Sequence, residues 1–400
     1  MPNLIHRRHL LAGAAALAGA TALPRFAMAQ AGPIKIATLT PLTGAGGPYG
    51  PVMVKAVKAV VDEVNAAGGV LGRKIELISE DDQTNPEAGV RAARKLIDVD
   101  KVSAILGTWA SSVTTAVAPL CWESKTFLAT VSGADSITAL PHQGYLIRTQ
   151  PNTTLQGRKF GEFALEQGAK KVVFLTPQTP FADSQFTNIK AAMEKAGGSA
   201  TRIIYDDKKP SYRSEVDQAL ADKPDALIFG GYTPDTTVLL KDVFKADYKG
   251  KKIAFAYSVN QKLVEGLPAE VAEGIYTIAP SPAEGSGAYK RLVKLIGVDG
   301  PDPYTTQIYD HINLVLLAIA HGGDASGAAI KDNVRKVSQA AGGAKVDNAL
   351  DGLKAIAAKQ AVNYDGASGP CDFTEIGDIA DCQFRYEQVK AGKMTLVKVA

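Results

Sequence analysis

The sequence predicts an α/β fold of two lobes, each a doubly wound parallel sheet covered by helices on both faces. From Pro33 onward, short β-branched apolar segments alternate with amphipathic segments of helical period. The order βαβαβαβ occurs once before Arg148 and again after it. Parallel strands need crossover connections, and right-handed crossovers bury both faces of a sheet. Since no low-complexity linker separates the halves, we expect several short crossings and a hinge between rigid lobes.

Each segment of the first half carries its own signal. Apolar β-branched runs predict strands, and amphipathic runs that end at glycine or at a turn predict helices. In chain order these segments are the strand IKIATL, a helix from about Val52 to Ala66, the strand RKIELISE, the helix PEAGVRAARKLID, the strand KVSAILG, the helix SVTTAVAPLCWE and the strand TFLATV.

The second half repeats this pattern and then departs from it. Its strands are KKVVFLT, ATRIIYD, PDALIFG and KKIAFAY, and the helices between them are ADSQFTNIKAAMEKAG, YRSEVDQALAD and PDTTVLLKDVFKA. Next come the crossing segment GIYTIAPSP, the helices AYKRLVKLIG and TTQIYDHINLVLLAIAHGG, a weaker helical stretch to about Gln360, a hairpin and the strand MTLVKV. We assign residues 31–148 with 281–366 to lobe one, and residues 151–278 with 369–400 to lobe two.

Residues 1–29 are predicted to be a cleaved export signal rather than part of the fold. The motif HRRHLL overlaps an apolar stretch from Leu10 to Leu23, and the small residues AMA at 27–29 suit a cleavage site. The paired arginines favour twin-arginine export of a folded chain, with an ordinary secretory signal as the alternative. Since 14 apolar residues are too few to span a bilayer, we expect a periplasmic protein.

Composition and charge narrow the class of function. The chain has 400 residues, of which 46% are hydrophobic and 21% charged, as in ordinary globular proteins. Cleavage after residue 29 removes three of the 44 basic residues and no acid, which leaves 41 basic and 41 acidic residues. A chain without net charge has no broad attraction for nucleic acid or anionic membranes, so we expect no nucleic-acid partner.

Enzyme signatures are absent from the sequence. The loop TGAGGPYG lacks the Lys-Ser/Thr of a phosphate-binding loop, and its glycines miss the dinucleotide-binding spacing. There is no G-x-S-x-G motif, and His142, His311 and His321 have no metal-like spacing. The adjacent Asp81 and Asp82 are better explained as ordering their loop and capping the next helix than as paired catalytic acids. We therefore predict no enzyme activity, no metal and no cofactor.

Two of the three cysteines are predicted to form a disulfide. Cys371 and Cys382 flank the segment DFTEIGDIAD. A two-residue turn at Ile376-Gly377 would place them directly opposite each other on a hairpin, within disulfide range. An exported, oxidising compartment would preserve the bond. Cys121 remains, and its apolar helix favours a buried free thiol.

The loops beyond the predicted strands are rich in aromatic residues, and ligand sites of parallel sheets lie at that edge. Lobe one contributes TPLTGAGGPYG, GTWASS and TVSGADS, and lobe two contributes TPQTPFADS, GGYTPD and AYSVN. Only 7% of the chain is aromatic, which makes a cluster of five rings informative. The rings suggest pocket walls, the alternative for each being a cap on its sheet. They are Tyr49, Trp109, Phe181, Tyr232 and Tyr257.

Ser111 and Ser112 begin the helix that follows the third strand. Free backbone N–H groups and the positive end of the helix dipole favour an anion there, and the hydroxyls add donors. A ligand carboxylate is the natural occupant of such a site. The alternative is an ordinary helix cap, which serine fills well.

The motifs PLTGAGGPYG, VNAAGGVLGRKIEL, EDDQTNP, AILGTWASSVTTAVAPL, IRTQPNT and GGYTPD resemble, in this order, those of the leucine/isoleucine/valine-binding proteins of ABC importers. The resemblance extends over nearly all of the chain after the signal and implies a type I periplasmic binding fold with three crossovers. It implies that Tyr49 is the first-loop aromatic, that Ser111 receives the ligand carboxylate, and that Phe181 and Tyr232 stand at tyrosine positions. It also implies that Gly133 and Ala134 stand where the family offers the ligand a backbone carbonyl and often a hydroxyl.

The chain also departs from that family pattern. Where the amino-acid binders have an acid for the ligand ammonium, this sequence reads AYSVNQ, with Ser258 and Asn260 but no acid. Ala134 lacks the hydroxyl, and Asp135 follows it. An ammonium without a carboxylate partner loses a charge-assisted hydrogen bond, so Asp135 or Asp183 would have to substitute.

The sequence therefore favours an exported solute-binding protein that delivers a small organic solute to the membrane permease of an ABC importer. The ligand would be a branched-chain or other amino acid, or a small aliphatic or aromatic carboxylate. Contacts to both lobes would favour the closed state, and we expect a monomer. The alternatives are an amide- or urea-type solute and a ligand-sensing receptor domain. A hydrolase or dehydrogenase is disfavoured because no nucleophile or nucleotide motif is present.

Overall fold

Two large sheets flanked by helices, together with a small two-stranded sheet, make up residues 32–400, the part of the chain that this computed structural model describes. The predicted export signal at residues 1–29 lies outside this part. The strands are β1 (Ile34–Thr40), β2 (Ile75–Asp81), β3 (Ala104–Gly107), β4 (Phe127–Thr130), β5 (Leu146–Arg148), β6 (Lys171–Pro177), β7 (Ser199–Tyr205), β8 (Ala226–Phe229), β9 (Lys251–Phe255), β10 (Tyr276–Pro280), β11 (Ala344–Val346), β12 (Val362–Tyr364), β13 (Phe384–Lys390) and β14 (Lys393–Val399).

Most of the helices between these strands fall where the hydrophobic periodicity predicts them. They are α1 (Gly50–Ala66), α2 (Pro86–Arg94), α3 (Ser111–Glu123), α4 (Thr153–Glu166), α5 (Pro180–Lys195), α6 (Arg213–Ala221), α7 (Thr233–Lys245), α8 (Gln261–Glu265), α9 (Ala269–Ala272), α10 (Gly287–Ile296), α11 (Pro303–Gly322), α12 (Gly327–Ser338) and α13 (Ala349–Ala357). In residues 32–400 no helix is long and apolar enough to cross a membrane.

The first sheet has the order β2-β1-β3-β4-β5, with every neighbouring pair parallel. The second has the order β14-β13-β10-β9-β8-β6-β7. Its strands β6 to β10 are parallel, whereas β13 runs antiparallel to β10 and to β14. The predicted α/β class with two parallel-rich sheets is thus confirmed. The sequence analysis did not predict β13, which extends the second sheet after a long excursion of the chain.

The chain passes between the two sheets three times. It leaves the first sheet after β5, leaves the second after β10, and returns to the second before β13. Between the last two passages, α11 packs against α1 and β3 of the first sheet, and α13 packs against α11. Both sheets are therefore built from segments that are distant in sequence, and the three passages connect them.

A buried ion pair joins the first passage to the third. The fully buried guanidinium of Arg148, at the end of β5, donates from Nε to Asp378 Oδ1 at 2.6 Å. Its Nη1 donates to the carbonyl of Ala134 at 2.7 Å, and its Nη2 donates to Thr138 Oγ1 at 2.9 Å. Asn152 Nδ2 donates to the other oxygen of Asp378 at 3.0 Å. Since buried charges persist only when paired, these bonds hold two passages and the loop after β4 in one arrangement.

The predicted disulfide between Cys371 and Cys382 is wrong. A hairpin does form there, but Phe373 pairs with Ile379, so Cys371 lies opposite residue 381 rather than opposite Cys382. Neighbouring residues of a strand point to opposite faces, and a slip of one residue therefore turns the two sulfurs apart. Both cysteines are free, as is the buried Cys121.

The length of the turn explains the slip. Thr374 donates its N–H to the carbonyl of Asp378 at 2.8 Å, which closes a loop of three residues rather than two. Gly377 has φ +88°, the left-handed conformation that three-residue hairpin loops commonly need. A Cβ at Gly377 would lie 2.5 Å from the carbonyl oxygen of Leu146, so docking against β5 also requires glycine. Tertiary contact with β5, which the local sequence does not reveal, sets the register.

Removing the Arg148 side chain should destabilise the protein strongly. We expect Arg148→Met to lower the free energy of unfolding by about 3–5 kcal/mol, because Asp378 would stay buried without its partner. Denaturant-induced unfolding followed by circular dichroism measures this loss. The matched control is Arg158→Met, which breaks an exposed pair with Glu162 and should cost less than about 1 kcal/mol. Equal losses in the two variants would contradict the structural role of the buried pair.

The three cysteines should all react as thiols. Alkylation in denaturant without reductant should add three groups to the chain, as measured by intact mass, because none of the cysteines is bonded to another. Prior reduction should change nothing. Two alkylation sites that appear only after reduction would show that the disulfide does form.

Candidate functional site

A cavity of about 430 Å³ lies between the loops that follow strands of both sheets. The first sheet contributes the segments after β3, β4 and β5, and the second contributes those after β6, β8 and β9. Every side chain that lines the cavity is uncharged. The lining residues are Trp109, Ala110, Ser111, Val131, Gly133, Gln150, Pro177, Thr179, Phe181, Gly230, Tyr232, Tyr257 and Tyr304.

Trp109 is the centre of an aromatic cluster that joins the two sheets. Its ring centroid lies 5.7 Å from that of Tyr232 and 5.8 Å from that of Tyr257, both from the second sheet. From the first-sheet side, Tyr49 stacks on it at 5.4 Å, and Tyr304 meets it edge-on at 5.6 Å. Such pairs contribute roughly 0.5–1.5 kcal/mol each beyond their burial. The cluster therefore forms an apolar wall and links the two sides of the cavity.

Ser111 occupies the first turn of α3 and is not its cap. The cap residue is Ala110, which offers no side-chain hydrogen bond to the helix. The first backbone N–H groups of α3 therefore lack the usual side-chain partner, and the positive end of the helix dipole faces the cavity. Ser111 Oγ accepts a hydrogen bond from the N–H of Ala134 at 3.2 Å, so its own proton is left for a ligand. This geometry excludes the alternative of an ordinary serine cap.

The other hydroxyls near the end of β3 bond to one another. Thr108 Oγ1 lies 3.0 Å from Thr130 Oγ1 and accepts from Thr114 Oγ1 at 2.9 Å, and Ser132 Oγ donates to the carbonyl of Thr108 at 2.8 Å. All four side chains are buried. Gly107, with φ +109°, begins the turn that places them there, because a Cβ would meet the carbonyl of Leu39 at 2.6 Å. This network fixes the start of α3 against the end of β4.

Six of the predicted site residues line the cavity, and Tyr49 lies just outside it. The six are Trp109, Ser111, Gly133, Phe181, Tyr232 and Tyr257. Tyr49 contacts Trp109 and lines a larger adjoining space of about 1060 Å³, which also reaches Tyr257 and Tyr304. The cavity therefore brings together residues from separate loops that the sequence analysis had grouped only by their position after strands.

Four predicted residues do not reach the cavity. Ser112 follows Ser111 on a helix, where successive side chains point about 100° apart. The carbonyl of Ala134 accepts from Arg148, and its N–H donates to Ser111. The carboxylate of Asp135 accepts from Thr154, Ser184 and Asn188, and the hydroxyl of Ser258 donates to the carbonyl of Gly231. Gly133 lines the cavity, but its carbonyl already accepts from the N–H of Thr153 at 2.9 Å.

Tyr304, Gln150 and Thr179 line the cavity without having been predicted. Tyr304 begins α11, far along the chain from the strand–loop repeats that guided the prediction. Gln150 belongs to the motif IRTQPNT and lies just after β5, at the edge of the sheet where the strands end and ligand sites are expected. Its position after a strand could have identified Gln150 as a site residue, whereas no feature of the neighbouring sequence identifies Tyr304.

Asp135 and Asp183, the two acids that would have to substitute as partners of a ligand ammonium, have partners of their own. Asp183 bonds to Arg202 Nη1, and Asp135 accepts the three hydrogen bonds described above. Burial raises the pKa of Tyr232 to about 12, so its phenol stays neutral at physiological pH. Among residues 32–400, no group of three His, Cys, Asp or Glu side chains could hold a metal ion. Chemically, the cavity offers hydroxyl and amide hydrogen bonds within aromatic walls.

Asp81 and Asp82 differ in environment, although they are adjacent. Asp81 accepts from the N–H groups of Leu42, Thr43 and Gln83, which orders the loop after β1. Burial opposes the effect, but these bonds and one from the Thr43 hydroxyl lower the pKa of Asp81. Asp82 is fully buried, and only one of its oxygens has a partner, the N–H of Thr84. Burial, together with the charge of Asp81, raises the pKa of Asp82 to about 7.

Comparisons with known proteins agree on the kind of molecule. The sequence profile of the family described as periplasmic binding protein matches residues 33–393. A Halobacterium salinarum protein named chemotactic signal transduction system substrate-binding protein BasB is 26% identical over 363 residues, which are 86% of this chain and 84% of that protein. These matches are to binding proteins and not to enzymes.

Two solved structures share the fold. A leucine-binding protein from Thermotoga maritima has a TM-score of 0.78 at 23% identity and covers 92% of this chain and 98% of its own. A solute-binding protein of an ABC transporter from R. palustris, solved with benzoate, has a TM-score of 0.75 at 19% identity and covers 92% of this chain and 96% of its own. The same fold therefore holds different ligands in different proteins.

Asp82 should make the stability of the protein depend on pH. The pKa of Asp82 is higher in the folded than in the unfolded state. The stabilisation that protonated Asp82 contributes below about pH 4 should therefore decline as the pH rises towards 7. Asp82→Asn should abolish this component, which is roughly 2–4 kcal/mol, as measured by denaturant unfolding at several pH values. Asp81→Asn is the control. It should change the slope of the unfolding free energy against pH in the opposite direction, because the pKa of Asp81 is lowered in the folded state. Parallel curves for the wild type and Asp82→Asn would contradict the assignment.

Proposed function

This chain belongs to the periplasmic binding protein family, and we propose that it captures a small organic carboxylate between its two sheets and delivers it to the permease of an ABC importer. The observation that carries the ligand class is the absence of charge from every side chain lining the cavity. A zwitterionic amino acid needs a carboxylate for its ammonium group, since a buried charge without a partner is strongly disfavoured. A ligand with a carboxylate and an apolar body has no such need.

The carboxylate would bind at the start of α3. Ser111 has a hydroxyl proton to donate, and the unpartnered N–H groups of the first turn point to the same place. The ligand body would pack against Trp109, Tyr232 and Phe181, whose rings supply apolar surface. Since the carboxylate contacts the first sheet and the rings come from both, binding would favour the arrangement in which the sheets approach each other.

Export and transport belong to the same proposal. The motif HRRHLL, the apolar stretch and the small residues at 27–29 support export to the periplasm by a cleaved signal, with the twin-arginine route favoured. The R. palustris neighbour is part of an ABC transporter, which supports a membrane permease as the partner. We propose that the protein acts as a monomer.

A second candidate function is ligand sensing. The relative from Halobacterium salinarum is named as part of a chemotactic signal transduction system, which supports a binding protein that presents its ligand to a receptor. The ligand site would be the same in both functions. Growth on the bound solute as sole carbon source, with and without the chromosomal copy of this protein, separates uptake from sensing.

Isothermal titration calorimetry on protein purified free of ligand tests the ligand class. Leucine, its deaminated analogue 4-methylpentanoate, benzoate and benzamide form a sufficient panel. We expect the carboxylates to bind at least about tenfold more tightly than leucine, because no acid in the cavity offsets the burial of an ammonium group. Tighter binding of leucine than of 4-methylpentanoate would overturn the proposal, and preference for benzamide would favour an amide ligand.

Ser111→Ala tests where the carboxylate lies. Loss of one charge-assisted hydrogen bond should weaken carboxylate binding by about tenfold to a hundredfold. Ser112→Ala is a matched control, since it removes the same group from the neighbouring residue, which does not line the cavity. Equal effects of the two substitutions would place the carboxylate elsewhere.

A further inference from the structure

The polar side chains of the cavity share a pattern. Ser111 Oγ accepts from the N–H of Ala134 at 3.2 Å, and Thr179 Oγ1 accepts from the N–H of Ala182 at 3.1 Å. Gln150 Oε1 accepts from Gln307 Nε2 at 2.7 Å. In each case a protein N–H occupies the acceptor atom. The hydrogen atoms of these groups are therefore free to be donated to a ligand.

Gln150 shows this pattern most fully. Both Gln150 and Gln307 are buried, and Gln307 lies on α11, behind Gln150 as seen from the cavity. Within residues 32–400, Gln150 Nε2 makes no hydrogen bond, although the residue lines the cavity. Gln150 Nε2 is therefore available to donate to a ligand acceptor in the cavity, while the buried atom of the pair that lacks a partner in the described part of the chain is Gln307 Oε1.

We propose that Gln150 is a specificity-determining residue that donates its amide N–H groups to the ligand, and that Gln307 is the positioning residue that fixes the direction of that amide. This inference rests on the proposed carboxylate ligand. An amide can present either an acceptor or a donor, depending on which way it is turned. Because Gln307 holds the oxygen, Gln150 presents the donor and so favours a carboxylate over an ammonium group.

The pair also explains how selectivity arises without charge in the cavity. A donor that faces an ammonium group leaves both unpaired, whereas the same donor facing a carboxylate forms a charge-assisted bond. Gln307 does not line the cavity and would act only through Gln150. A substitution at Gln307 should therefore change which ligand is preferred, although residue 307 itself does not contact the ligand.

Gln307→Glu tests the positioning role. A carboxylate can only accept, so Gln150 would turn its nitrogen towards residue 307 and its oxygen towards the cavity. We expect affinity for 4-methylpentanoate to fall by about tenfold or more and affinity for leucine to rise, so that the ratio of the two Kd values changes by at least about thirtyfold. Gln185→Glu, at another fully buried glutamine that does not line the cavity, is the control and should leave this ratio unchanged.

Gln150→Met is the second variant, because Gln307→Glu could fail to fold. It removes the donor without adding an acceptor, so binding of 4-methylpentanoate should weaken about tenfold and binding of leucine should not improve. An unchanged ratio of Kd values in both folded variants overturns the inference while the carboxylate preference of the wild type stands. A wild type that prefers leucine overturns both the inference and the proposed function.

Discussion

The buried pair of Arg148 and Asp378 is the interaction on which the rest of the site depends. It connects the first passage between the sheets to the third and also holds the carbonyl of Ala134. Ala134 in turn donates to Ser111, so the guanidinium is one residue removed from the proposed carboxylate site. A charge so deeply buried tolerates few alternative arrangements. Two passages between the sheets and the proposed ligand loop are consequently fixed by the same side chain.

Strand-end hydroxyls serve two different purposes in this molecule. Thr108, Thr114, Thr130 and Ser132 satisfy one another and attach α3 to β4, whereas Ser111 alone of this segment lines the cavity. Helix geometry explains why Ser111 and Thr114 serve different purposes. Being three positions apart, both face the end of β4, but Ser111 lines the cavity and Thr114 does not. A hydroxyl-rich strand end is therefore not by itself a ligand site, since most of its groups can be consumed internally.

The alternation of apolar and amphipathic segments was enough to predict both sheets and most of the helices, because each such segment buries a face of its own sheet. Five cavity residues followed from one topological rule about strand ends, and the sixth, Gly133, from the family resemblance. The errors share a cause: Cys371, Tyr304 and Asp135 depend on contacts between distant parts of the chain. The docking of Gly377 on β5 sets the hairpin register, α11 delivers Tyr304, and three partners from α4 and α5 hold Asp135. None of these contacts can be recognised from the local sequence.

Selectivity in such a cavity depends on the direction of hydrogen bonds rather than on charge. The fold itself does not decide the ligand, since its neighbours include a leucine-binding protein and a protein solved with benzoate. Here protein N–H groups occupy the acceptor atoms of Ser111, Gln150 and Thr179. Donors that face the cavity disfavour an ammonium group, because each misplaced donor leaves two unpaired groups in a buried setting. These donors and the uncharged lining of the cavity act together, and both favour an acid with an apolar body.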